Sequence, residues 1–432
     1  MKTLLGGILS VVGTAVFFLF FLPHTLTFQG QEANSQPQSV SLPVLPESTT
    51  TPTSSQVNAV VKSAVSDIEK QPQLQNPPGI AKAIYITGWS AGSYNKMTYL
   101  INLVESRGLN AVVIDIKDYS GYVSYATDVP EVKASGAEGE LRILKPNELI
   151  KRLHDKNIYV IGRVTVFQDP ILAKAHPEWA LQNKNTGKTW KDRNGIAWLD
   201  AAAKPVWDYA INIAKDGLGR GFDEINFDYI RFASDGDLSA IEYPFWDKKT
   251  PRHLIIKKFF AYLRENLYEA KLSADLFGLA TIDTWDDLGI GQVLEDAYKY
   301  FDYVCPMVYP SHYAAGFMGY KNPANYPYEV VKYSMEIALK RLLGNYAMTN
   351  ASTTGNASDT IQNSSGTIQV AQPVEFRAKL RPWLQAFDLG AVYTSEMIQK
   401  QIRATEEALA SSSAQYGGWL LWDPANNYKN FK

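Results

Sequence analysis

The chain has 432 residues, 46% hydrophobic and 20% charged, a globular balance that excludes global disorder. Its 42 basic and 44 acidic residues leave a formal charge of −2, whereas a nucleic-acid partner usually demands a basic surplus, so none is expected. The one cysteine, Cys305, excludes an intramolecular disulfide framework, and five histidines with no close pair argue against a Cys/His metal site; no metal and no cofactor are predicted.

Lys2 precedes an uncharged, mostly apolar run from Thr3 to Pro23. The run is long for a secretory signal, and no strong cleavage pattern follows it. It approaches the length a helix needs to cross a bilayer. Residues 1–27 are therefore expected to form an N-terminal membrane helix, an uncleaved anchor in preference to a cleaved signal. Lys2 would stay on the cytoplasmic side. The membrane would then be a partner, and the bulk of the chain extracytoplasmic, or secreted if the segment is cut. Residues 28–79, rich in Gln, Ser, Thr, Pro and Asn, cannot bury a core and read as a disordered linker.

From residue 80 onward, short β-branched or aromatic runs alternate with amphipathic helical runs. Strands are expected at Ala83–Trp89, Ala111–Lys117, Tyr159–Phe167, Glu224–Arg231, Leu276–Asp283, Tyr303–Tyr309, Pro382–Phe387 and Gly418–Trp422. Helices are expected to begin near Asn95, Pro146, Pro205, Pro251, Ile290, Pro327 and Thr394, several of them at a Pro or Thr suited to a first turn or cap. Residues 348–372 form a polar insert. Eight strands with helical runs between them predict an α/β fold, a (β/α)8 TIM barrel over residues 80–432. The alternative, an open doubly wound sheet, would want a Gly-rich phosphate turn, and Gly88-Trp89-Ser90-Ala91-Gly92 is not one.

In such a barrel chemistry sits where strands end, and one strand parity faces the lumen. On the fourth strand Glu224, Asn226 and Asp228 share one parity and Ile225, Phe227 and Tyr229 the other, which aims the polar set inward with Asp228 nearest the rim. A carboxylate there is costly unless paired or wet, and Arg163 or Arg231 are the available partners. Asp115 and Lys117 share a parity on the second strand, where they either pair or together hold a sugar hydroxyl. Asp283 is the leading second carboxylate, with Asp115 in reserve. Tyr309 and His312 follow the sixth strand, and Gln385 the seventh. Trp422 offers either an apolar floor under a sugar ring or packing in the wall, and Trp89 and Trp285 offer stacking faces.

Several carboxylates with few histidines, and no G-x-S-x-G elbow, point to acid–base chemistry on carboxyl groups, of which glycoside hydrolysis is the common case. A non-catalytic carbohydrate-binding barrel is the second reading of the same residues. Asp228, Asp283 and Asp115 are then the candidate catalytic groups. Trp89, Lys117, Arg163, Asn226, Arg231, Trp285, Tyr309, His312, Gln385 and Trp422 are the candidate substrate-binding groups.

The stretches Lys82–Trp89, Val112–Asp118, Glu224–Phe232, Met307–Tyr313 and Gly418–Asp423 together resemble a family of bacterial TIM-barrel proteins grouped as glycoside hydrolases and long catalogued as a domain of unknown function. The chain is similar, more distantly, to the α-amylase and α-galactosidase superfamilies. The resemblance implies a (β/α)8 fold acting on a cell-wall or surface polysaccharide or oligosaccharide. It also implies that Asp228, after the fourth strand, is the nucleophile. Those superfamilies carry the general acid on the fifth or sixth strand, where this chain offers Asp283.

Overall fold

The computed structural model describes residues 66–284, 286–344 and 378–431. The expected insert at 348–372, Trp285, the apolar run Thr3–Pro23 and most of the expected linker lie outside those residues. Among the described residues no helix is long and apolar enough to cross a membrane. The expected membrane helix therefore finds no support in the structure. Membrane attachment and the anchored or secreted extracytoplasmic location rested on it and are set aside.

Eight strand positions close into a parallel barrel: β1 Ala81–Ile86, β2 Ala111–Lys117, β3 Tyr159–Thr165, β4 Glu224–Asp228, β5 Leu272–Phe277, β6 Tyr303–Val308, β7 and β8 Gly418–Trp422. Strand β7 is split into Lys379–Leu380 and Trp383–Gln385. Pro382, which has no N–H for the ladder, stands at the break. Closure is made where β8 pairs with β1, Gly418 beside Ala81. Only glycine fits there: φ is 106°, and a Cβ would lie 1.9 Å from the Ala81 carbonyl oxygen.

Each of the first seven strands is followed by a helix of the outer ring: α1 Tyr94–Ser106, α2 Pro146–His154, α3 Lys204–Arg220, α4 Arg252–Asn266, α5 Leu294–Tyr300, α6 Pro327–Leu342 and α7 Ser395–Leu409, with shorter helices at Gly88–Gly92, Pro130–Ser135 and Pro170–Ala175 in the intervening loops. Local chemistry sets their ends. Thr394 caps α7 by accepting from Met397 N, and α3 stops at Gly221 in the left-handed region. Among the described residues no helix follows β8. Its tail folds back so that the Asn426 amide and the Tyr428 hydroxyl both donate to the Tyr85 carbonyl, at 2.9 and 2.6 Å.

Residues 66–79, within the expected linker, are ordered against the barrel base. Asp67 accepts from the backbone N–H groups of Asn147 and Glu148 at the start of α2, an N-terminal cap supplied from another segment. Leu74 packs under the lumenal residues.

The barrel wall obeys the period-2 rule. Ile84, Ile86, Val112, Ile114, Val160, Val164, Ile225 and Phe227 face the helices, in one continuous core. The lumen is different from the branched apolar filling usual in this architecture. At its base Glu224 accepts from Arg381, Ser273 Oγ and Tyr159 OH, and the Arg381 guanidinium lies 4.0 Å from the Tyr303 ring centroid. Both members of this pair are fully buried. Removing one partner of such a pair strands the other charge, so Arg381→Met is expected to lower unfolding free energy by about 3–5 kcal/mol in urea titration. A loss below about 1 kcal/mol would show that the base pair is dispensable.

Candidate active site

The upper lumen is organised around Arg163 on β3. Its Nη1 donates to Asp115 Oδ1 at 2.6 Å, its Nη2 and Nε donate to Asp228 Oδ2 at 2.6 and 3.2 Å, and Nε lies 4.0 Å from Asp275 Oδ2. Asp115 also accepts from Tyr85 OH, and Asp228 Oδ1 accepts from the Tyr229 N–H at 2.6 Å. Tyr229 has a positive φ of 52°, and its N–H turns back onto the Asp228 carboxylate. All the donors to Asp228 are N–H groups, two from Arg163 and one from the Tyr229 backbone.

Asp275 was not among the sequence-derived candidates. The register pairs Phe227 with Ala274, which sets Asp228 and Asp275 side by side on neighbouring strands. Asp275 Oδ1 accepts from Asn226 Nδ2 and from Trp383 Nε1, both at 2.8 Å. Burial, and then the negative charge of Asp228, push its carboxyl well above the usual range, against the opposing pull of Asn226, Arg163 and Trp383. Burial also raises Asp115, opposed chiefly by Arg163. Burial alone would lower Arg163, but Asp115 and Asp228 outweigh it and hold the guanidinium charged. The side chains of Asp115 and Asp275 are each 1% exposed and that of Asp228 is 8% exposed, so Asp228 is the carboxylate a ligand can reach.

The fourth-strand expectation holds: Asn226 and Asp228 face inward with Asp115 and Arg163. Lys117 does not join them. The β2–β3 register shifts between Asp115 and Lys117, so Lys117 pairs with outward-facing Val164. Its ammonium binds Asp169 at 2.7 Å, both side chains sealed, and faces the Tyr209 ring of α3. Asp283 also falls outside the ladder. The expected strand Leu276–Asp283 begins four residues late: β5 ends at Phe277, and residues Gly278–Thr281 form a 3-10 turn. Gly278 sits so close to β6 that a Cβ would lie 2.5 Å from the Met307 carbonyl oxygen. Asp283 follows that turn, part-buried, with its backbone carbonyl bonded by Arg341 of α6 at 3.0 Å. The signal for Asp275 was present in Leu272-Ser273-Ala274-Asp275-Leu276, where polar residues alternate with apolar ones just ahead of the stretch read as strand.

The rest of the predicted set divides by place. Trp422 stacks on Tyr85 with centroids 3.9 Å apart and faces the Arg163 guanidinium at 5.1 Å, so it both walls the lumen and caps the charge network. Tyr309 is buried at the rim, edge-on to His312 and Phe387. His312 is exposed and shares a hydrogen bond with Ser311 Oγ. Gln385 is fully buried and its amide is consumed: it accepts from Ser311 N and donates to the Phe387 and Leu389 carbonyls. It therefore braces two rim loops and is not free for a ligand. Trp89 is 60% exposed, with Arg142 over its ring at 5.4 Å. Arg231 is packed among Trp198, Phe277 and Tyr229. Among the described residues no group of His, Cys, Asp or Glu is arranged to hold a metal.

A closed parallel barrel with carboxyl groups converging at its C-terminal mouth is the framework of many sugar-cleaving enzymes. Residues 83–428 match a family model, DUF4015, described as "Putative glycosyl hydrolase domain". The chain belongs to that family. Among solved structures, a hypothetical protein from Ruminiclostridium thermocellum ATCC 27405 is 40% identical, the match covering 44% of this chain and 96% of that one with a TM-score of 0.41. The PgaB (BpsB) glycoside hydrolase domain from Bordetella bronchiseptica is 11% identical, covering 80% of this chain and 95% of its own at a TM-score of 0.52, a likeness of fold. The α-galactosidase TtGalA from Thermus thermophilus, in complex with p-nitrophenyl α-D-galactopyranoside, is 13% identical over 82% of this chain and 60% of its own, with a TM-score of 0.46. No curated protein matches the chain.

The raised Asp275 carboxyl fixes the sign of a pH effect. The folded chain keeps a proton that the unfolded chain releases above about pH 4. The group thus favours folding fully below that pH, and its contribution falls as pH rises toward the folded value. Asp275→Asn mimics the protonated form. Its stability relative to the parent is expected to rise as pH climbs above about 4 in urea unfolding; a pH-independent difference would contradict the assignment.

Proposed function

We propose that the chain hydrolyses glycosidic bonds in a polysaccharide or oligosaccharide, with Asp228 as the anionic group at the reacting carbon. One observation carries this reading: Asp228 is the reachable carboxylate of the lumen, oriented by Arg163 and by the Tyr229 N–H. Cleavage passes through an oxocarbenium-like transition state, and a fixed carboxylate beside the anomeric carbon either attacks it or stabilises its charge. Asp275, protonated and shut away behind Asp228, is a positioning residue. Keeping it neutral spares Asp228 a like-charge neighbour.

The leaving oxygen needs a proton from a group that touches substrate. The part-exposed Asp283, in the loop beyond β5, is the proposed general acid, whereas Asp115 is committed to Arg163 and Tyr85. Trp89, Trp422 and Tyr309 are proposed to contact the sugar. Among the described residues the Tyr309 hydroxyl has no hydrogen-bond partner, and it is not among the fully sealed polar atoms. Support for a second reading, a carbohydrate-binding barrel without turnover, lies in the same network: Arg163 already engages both Asp115 and Asp228.

Release of reducing ends from a panel of bacterial cell-wall and exopolysaccharide glycans separates the two. Asp228→Asn is expected to cut turnover by about a thousandfold or more while the fold is kept. Binding of a glycan with no turnover in the parent chain would favour the binding module. Asp283→Asn should lose activity on natural glycans and retain it on aryl glycosides, whose leaving groups need no proton. If Asp275→Asn shows that split and Asp283→Asn does not, the acid is Asp275.

A further inference from the structure

Six arginines are buried in the described residues, and five of them pair with a carboxylate. Arg142 binds Asp118, Arg163 binds Asp115 and Asp228, Arg220 binds Asp216, Arg341 binds Glu295 and Arg381 binds Glu224. Arg231 is the exception. It is 9% exposed, and its Nη1 donates only to the Phe232 carbonyl and to Ser234 Oγ, each at 3.0 Å. Burying a guanidinium without an anionic partner is costly. Three ring faces surround it, Trp198 at 4.7 Å, Phe277 at 4.8 Å and Tyr229 at 5.5 Å. They attract the cation but accept no conventional hydrogen bond in the fork plane.

Among the described residues the other Arg231 nitrogens have no hydrogen-bond partner, and they are not among the fully sealed polar atoms. They are therefore buried but not sealed off. The position is the barrel mouth: Arg231 follows Asp228 by three residues, Phe277 ends β5, and Trp198 is bridged to Gln168 just after β3. Asp228, Asp235 and Asp192 act on the guanidinium through space, yet none reaches ion-pair distance. Asp228 is held by Arg163, and Asp192 accepts from Trp198 Nε1 and the backbone of Asn194 and Ile196. A rigid fork, walled by aromatic rings and with free donors, suits a planar or tetrahedral anion better than a neutral hydroxyl.

We propose that Arg231 is an anion-recognition subsite of the candidate active site, and that the glycan taken carries a carboxylate, sulfate or phosphate near the sugar that meets Asp228. The subsite rests on the glycan reading of the barrel but not on turnover. A uronate oligosaccharide, its carboxyl-reduced neutral counterpart, and a sulfated and a phosphorylated form of that neutral oligosaccharide are titrated calorimetrically against the full chain. At least one anionic probe is expected to bind about tenfold more tightly than the neutral one, with an affinity that falls as salt is raised. The preferred probe tells carboxylate from sulfate or phosphate.

Arg231→Gln is expected to erase the preference, and Arg231→Lys, which keeps the charge but loses the fork, to weaken it. Asp228→Asn should bind the preferred probe at least as tightly as the parent, since binding does not need the reaction. Equal affinity for neutral and anionic probes in the parent, no binding of any anionic probe, or a preference that survives in folded Arg231→Gln would each overturn the subsite. Loss of turnover in Asp228→Asn bears on hydrolysis alone. A chain that binds the anionic probe without cleaving it would keep the subsite and remove the hydrolase reading.

Discussion

One guanidinium, that of Arg163, is shared among three carboxyl groups in the buried upper lumen. Asp115 and Asp228 take its hydrogen bonds, and Asp275 stands at the margin of its reach. A single positive charge cannot neutralise three negative ones in a low-dielectric lumen, so the network holds a proton. The environments decide where it sits. Asp228 has the stronger claim on Arg163 and a backbone donor besides, whereas Asp275 has only neutral donors at hydrogen-bond distance. Burial and the neighbouring Asp228 push Asp275 toward its protonated form, a separation of environments that carboxyl acid–base chemistry uses.

The fold exists to hold that arrangement still. Strand register sets Asp228 level with Asp275, and Trp422 stacked on Tyr85 closes the side of the cluster. Below, the Glu224–Arg381 pair fills the base with a second buried charge group, and Leu74 packs beneath the lumen. Each lumenal side chain is fixed by a neighbour on another strand. Disturbance at the base would therefore be transmitted to the mouth through packed side chains.

Much of this was readable from alternation. Strands β2 and β8 fall where the pattern placed them, and the polar parity of β4 delivered Asn226 and Asp228 to the lumen. Arg163 and Arg231 were both foreseen as available partners of Asp228, and the ion pair forms with Arg163. The failures have local causes. A one-residue register shift turned Lys117 to the outer face, and no sequence signal marks such a bulge. The apolar run Leu276–Ile282 outweighed the shorter alternation that carries Asp275, because Gly278 ends the strand through a close approach to β6 visible only in three dimensions. Gln385 has the right parity but spends its amide on loop carbonyls. The capping of α2 by Asp67 joins residues far apart in the chain, so composition alone assigned that stretch to a linker.

The protonation pattern can be read directly. Carboxyl-carbon NMR on aspartate-labelled protein, with signals assigned by Asp→Asn replacement, reports each group separately. At neutral pH the account predicts that Asp275 keeps its proton in the folded molecule. Ionised signals for Asp115, Asp228 and Asp275 alike would contradict it and would remove the proton on which the proposed division of roles depends.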